Sequence, residues 1–125
     1  MVMGIAQLRA VSLDCAEPKG LAEFYAELTG GRITYESADF VAIQGPAVWL
    51  TFQRVDEYRE PTWPEGPVPQ QLHLEFSVND LEAAQEQALA AGARLPATQP
   101  SPDRWRVLLD PAGHPFCVTT LIPPD

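Results

Sequence analysis

The chain has 125 residues, a length that fits one domain and buries enough surface to fold without a disulfide or a structural metal. Its 17 Asp and Glu outnumber 8 Lys and Arg, and the net charge of −9 argues against nucleic acid and against an anionic membrane surface as partners. No apolar run reaches the ~18 residues of a membrane span, and the opening "MVMGIAQLRA" lacks a basic region ahead of an apolar core, so the expected location is the cytoplasm.

Residues 7–14, "QLRAVSLD", read as a strand. "EPKGLAEFYAELTGG" reads as a helix: Pro18 suits a first helical position, Leu21, Phe24, Tyr25 and Leu28 form an apolar stripe, and Gly30–Gly31 end it. "RITYES", "DFVAIQG" and "AVWLTFQRV" follow as short strands between turn residues. The polar, proline-rich stretch 56–70 reads as a connecting loop. "QLHLEFSV" alternates like a strand, and "NDLEAAQEQALAAG" is a helix capped by Asn79 or Asp80 and closed by Gly92. "ARLPAT", "RWRVLLD" and "PFCVTTLI" read as three more strands, and "PPD" as a loose tail.

The order βαβββ therefore occurs twice, in a module over about 5–55 and another over about 71–121, joined by the loop. Ala10 corresponds to His73 and Pro18 to Leu81 at an offset of 63, and "GGRI" echoes "GARL". Each unit makes a sheet with a helix on one face, so the expected fold is α+β, two tandem modules forming a curved mixed sheet around a trough lined by inward strand residues.

His114 and Cys117 lie three apart across a turn and a strand, so alternation places them on opposite faces and they do not pair as base and nucleophile. Cys117 and Cys15 read as buried thiols that the cytosol keeps reduced, and His114 as a solvated turn residue. Trp49 and Trp105 lie on strands and serve either as packing or as an aromatic wall for a flat or cationic ligand; Trp63, in the loop, is a lid or an anchor on a second subunit. Arg54, Arg104 and Arg106 are either surface charges or clamps for an anion.

The paired modules, with "EPKGLAEFYAELTGG" and "HLEFSVNDLEAAQEQALAAGARL" closing on "DPAGHPFCV", resemble the vicinal oxygen chelate superfamily over about residues 7–121. This is the fold of glyoxalase I, bleomycin-resistance proteins, fosfomycin-modifying enzymes and extradiol dioxygenases, and the likeness is greatest to small glyoxalase-like domain proteins. The resemblance implies four ligand places, usually two His near the first strands and two Glu in the last strands. They fall here on Ala10, His73, Gln53 and Cys117, with Phe52 replacing Gln53 if the register slips by one. His73 alone is a ligand of the usual kind, so the expectation is a protein without the metal site; a divalent metal, if bound, has His73, Cys117 and Gln53 to hold it. Glu75 lies two residues after His73 and Asp14 four after Ala10, so both can share the inward face, and Glu75 beside His73 is a candidate acid–base group.

The resemblance implies a homodimer and a small hydrophobic or aromatic ligand held by Trp49, Gln53, His73, Trp105 and Cys117, as in drug-sequestering members. The alternative it implies is a lyase or isomerase that uses His73 as acid or base, or a divergent metal site; an interaction module with a filled trough stays open as a third.

Overall fold

The computed structural model describes residues 4–124 and is α+β. Its elements are β1 (Ala10–Cys15), α1 (Pro18–Thr29), β2 (Arg32–Glu36), β3 (Phe40–Gln44), β4 (Trp49–Arg54), β5 (Leu74–Ser77), α2 (Leu81–Ala91), β6 (Trp105–Leu109) and β7 (Pro115–Thr119). Residues 1–3 and 125, part of the opening read for a secretory signal and the end of the tail, lie outside the described residues. The chain divides at Asp56/Glu57 into two compact units. No helix among the described residues is long and apolar enough to cross a membrane.

The first unit is a four-stranded sheet in the order β1-β4-β3-β2. β1 runs parallel to β4, while β3 is antiparallel to both β4 and β2. The parallel pairing requires a crossover, and α1 supplies it. Pro18 opens α1, and Gly30 closes it in the left-handed conformation (φ 75°) with its N–H donating to the Ala26 carbonyl. Leu21, Phe24 and Tyr25 are buried, and Tyr25 stacks on Phe52 of β4 at 5.6 Å. Each such side chain contributes about 1.5–3 kcal/mol through burial. Because Leu50 and Phe52 face the core, alternation turns Trp49, Thr51 and Gln53 to the opposite face of β4.

The second unit repeats the plan with a three-stranded sheet, β5-β7-β6, in which β5 is parallel and β6 antiparallel to β7. Asp80 is the cap of α2, its side chain accepting from the Ala83 N–H at 3.0 Å. Phe76 and Phe116 meet edge-on at 5.8 Å, and Arg106 reaches Glu82 and Gln85 of α2, so these three side chains mark the helix side of the sheet. The strand expected over 93–98 is reduced to one antiparallel bridge, Arg94 with Leu109, made by two hydrogen bonds of 2.8 Å. Pro96 has no N–H to donate, and Pro100 and Pro102 follow closely, so no ladder extends from it.

From residue 57 onward the proline-rich stretch belongs to the second unit. Tyr58 donates to the Ala112 carbonyl at 2.7 Å, Arg94 donates to Glu60 at 2.5 Å, and Thr62 bridges Pro69. This segment is a docked part of the module rather than a plain connection.

Candidate functional site

The helix-free face of the second sheet carries the chemistry. His73 stands one residue before β5 and Glu75 within it, and their spacing of two aims both side chains to the same side. The parallel register sets Glu75 beside Cys117, and β6 sets Val107 on the other flank of Cys117. Trp105 shares the face of Val107, again by a spacing of two. Together with Pro115, Pro100, Trp63 and Gln70 these residues line a cavity of about 230 Å³. Trp63 and Gln70 come from the docked loop, with the Trp63–Pro64 peptide cis.

One end of this cavity is polar. His73 Nε2 lies 2.5 Å from Glu75 Oε2, the geometry of an imidazole N–H donating to a carboxylate. One donor atom each from His73, Glu75 and Cys117 lie within 4.8 Å of one another. Burial, and then repulsion by and hydrogen bonding to Glu75, push the Cys117 thiol up from the ordinary 9.0 to about 12. Without a cation beside it, Cys117 is therefore a protonated thiol at neutral pH and no nucleophile. The amide oxygen of Gln70 is buried and has no hydrogen-bond partner, an arrangement that costs free energy unless a bound donor answers it. No Lys or Arg among the described residues lines the cavity.

The structure brings together four of the residues singled out from sequence: His73, Glu75, Trp105 and Cys117. Trp63 joins them through the loop, whereas Gln70 was not singled out. Only the folded path of the loop brings Gln70 there, and a glutamine in a polar stretch carries no signal of its own. Trp49 and Gln53 lie on β4 of the first unit, where the Gln53 amide donates to the carbonyls of Asp39 and Arg54. Asp14 is exposed and pairs in register with Gln53.

Two of the three arginines read as anion clamps, Arg54 and Arg106, are engaged elsewhere. Arg54 pairs with Asp39 at 2.8 Å and Asp56 at 3.1 Å, and Arg106 with Glu82 at 2.8 Å. His114 is half-buried rather than solvated: its ring packs on Tyr58 at 5.8 Å, with Nε2 3.3 Å from the Tyr58 hydroxyl. The docking of the loop onto the turn explains the difference.

The two modules, each pairing its first strand parallel with its last and carrying a helix after the first strand, and the polar cluster at the first-strand and last-strand places of the second module define a protein of the vicinal oxygen chelate class. The family profile "Glyoxalase-like domain" matches residues 10–119, and the chain belongs to that family.

Among solved structures the fold is similar to a glyoxalase/bleomycin resistance/dioxygenase family enzyme from Burkholderia phytofirmans PsJN. The TM-score is 0.71 at 20% identity, over 94% of this chain and 100% of that one. It is also similar to the fosfomycin resistance protein FosX of Listeria monocytogenes in complex with Mn(II) and 1S,2S-dihydroxypropylphosphonic acid. That TM-score is 0.70 at 16% identity, over 98% of this chain and 95% of that one. FosX from Mesorhizobium loti gives 0.67 at 14% identity, over 98% and 94%. At these identities the likeness is one of fold. Among curated proteins the sequence has no significant match.

Proposed function

We propose that the protein binds a small molecule in the cavity of its second unit, and that this molecule has a flat apolar body and a hydrogen-bond donor. The observation that carries the reading is the Gln70 amide oxygen, buried without a partner in the wall of a cavity that also holds two tryptophans. Sites of this kind fix orientation with a few polar groups and gain affinity from apolar contact. Trp63 and Trp105 supply that contact, and the Gln70 oxygen and the Glu75 carboxylate both accept hydrogen bonds. The volume of about 230 Å³ falls below the roughly 300–1,000 Å³ of sites for drug-sized molecules, so the ligand is compact.

The test is tryptophan fluorescence in a Trp49→Phe background, which leaves Trp63 and Trp105 as reporters. Phenol and benzamide, which carry donors, should quench saturably, and toluene should bind at least about tenfold more weakly, roughly 1.4 kcal/mol. Gln70→Met should erase that preference. Equal binding of toluene, or no saturable quenching by any of the three, would sink the reading.

A second reading, a lyase or isomerase, is favoured by the 2.5 Å contact between His73 and Glu75 on a partly open wall. An imidazole and a carboxylate in hydrogen-bond contact can pass a proton to or from a bound molecule. It predicts a converted product rather than a recovered ligand, with conversion lost in His73→Asn and ligand quenching retained.

A further inference from the structure

We propose that His73, Glu75 and Cys117 form a three-ligand site for a thiophilic divalent cation of the zinc class, contained wholly within the second unit. The donors are an imidazole nitrogen, a carboxylate oxygen and a sulfur, and one atom of each lies within 4.8 Å of the others. Glu75 on β5 stands directly across the parallel register from Cys117 on β7, and His73, one residue before β5, lies on the same side as Glu75 at a spacing of two. The sheet register therefore fixes Glu75 and Cys117 side by side, and His73 converges on them from the residue that leads into β5.

Two features select the metal. Sulfur favours zinc-like ions over hard ions such as Mg²⁺ and Mn²⁺, which take oxygen donors. Three protein ligands leave a fourth position for water or a bound molecule, the pattern of reactive rather than structural zinc sites. The unpartnered Gln70 oxygen lines the same cavity and can accept a hydrogen bond from the group in that position.

The four places implied by the superfamily resemblance fit a hard cation poorly, because Ala10 has no donor atom and Cys117 presents sulfur. The Mn(II) of the Listeria FosX complex is therefore not carried over to this chain. Here the carboxylate stands on β5, one strand over from the place where the resemblance expects it, and it faces a thiol. The proposal does not rest on which organic molecule the cavity takes, so either can fail alone.

The experiment uses the full chain, stripped of metal with a chelator. Co²⁺ serves as a spectroscopic probe, Zn²⁺ is titrated against a chromophoric chelator, and free Mn²⁺ is followed by electron paramagnetic resonance. One equivalent of Co²⁺ should produce a sulfur-to-cobalt charge-transfer band in the near ultraviolet. Cys117→Ser should abolish that band and lower Zn²⁺ affinity about a hundredfold while moving Mn²⁺ affinity less than about threefold. Glu75→Gln should weaken Zn²⁺ and keep a sulfur band at high Co²⁺, and circular dichroism of both variants should match the parent. No charge-transfer band in the folded parent, or Zn²⁺ binding that survives both substitutions, would overturn the proposal.

Discussion

Cys117 meets a carboxylate at close range, and this sets how the metal-free protein responds to base. Its thiol holds its proton to about 12, against 9.0 in the ordinary state, because burial and Glu75 both disfavour the thiolate. Between those two values the native state keeps a proton that the unfolded chain has lost. The contribution of Cys117 is therefore intact below about pH 9 and falls as pH rises toward 12, by up to about 1.4 kcal/mol per pH unit. Urea midpoints of chelator-treated protein should drop between about pH 8 and pH 10.5 by more than those of Cys117→Ala. Glu75→Gln leaves burial in place and removes the repulsion, so its excess drop should be smaller than the parent's. Identical pH profiles for the parent and Cys117→Ala would mean that this thiol is not shifted.

The turn into β7 shows how one short element anchors the site. Asp110 is fully buried, and its Oδ1 accepts from the backbone N–H groups of Ala112 at 2.9 Å and His114 at 3.0 Å. Gly113 takes φ 87°, and a Cβ there would come within 2.1 Å of the Glu60 side chain. Gly113→Ala should destabilise the protein by about 1–2 kcal/mol, part from the positive φ and part from displacing Glu60. In a double-mutant cycle with Glu60→Ala, only the second part should disappear; equal costs in both backgrounds would assign the whole effect to the backbone. "DPAG" was legible as a turn in the sequence because its residues act locally. The helices were legible for the same reason, from Pro18 and Gly30 in one and from Asp80 and Gly92 in the other. The stretch 93–98 reads as a strand only through the alternation of Ala93, Arg94 and Leu95, and Pro96 forbids the ladder that would complete it. The loop over 56–70 was opaque: its prolines read as a linker, and only contacts distant in sequence, such as Tyr58 with Ala112, reveal that it walls the cavity. Spacing already put Glu75 on the face of His73, but its place beside Cys117 depends on a parallel register that spans a helix.

At the scale of the whole molecule the two units share a plan but differ in chemistry. An offset of 63 carries His73 onto Ala10 and Glu75 onto Ser12, and the β1–β4 register pairs Ser12 with Thr51 as β5–β7 pairs Glu75 with Cys117. Thr51 thus holds the place of Cys117 in the first unit, two residues before Gln53 on the same face of β4. The same backbone geometry presents Ala10, Ser12 and Thr51 in one unit and imidazole, carboxylate and thiol in the other. If register and face are what bring three ligands together, they should do so in the first unit as well. Ala10→His, Ser12→Glu and Thr51→Cys, made together, should raise bound Co²⁺ from one to two equivalents per chain and roughly double the charge-transfer absorbance. Ser12 is exposed and Thr51 half-buried, so the cost in stability should stay within about 3 kcal/mol, checked by urea denaturation. Two equivalents in a folded triple variant would show that the repeat geometry suffices. A single equivalent would show instead that the second unit owes its site to the loop bearing Trp63 and Gln70, the feature of its cavity that the repeated strands and helix do not supply.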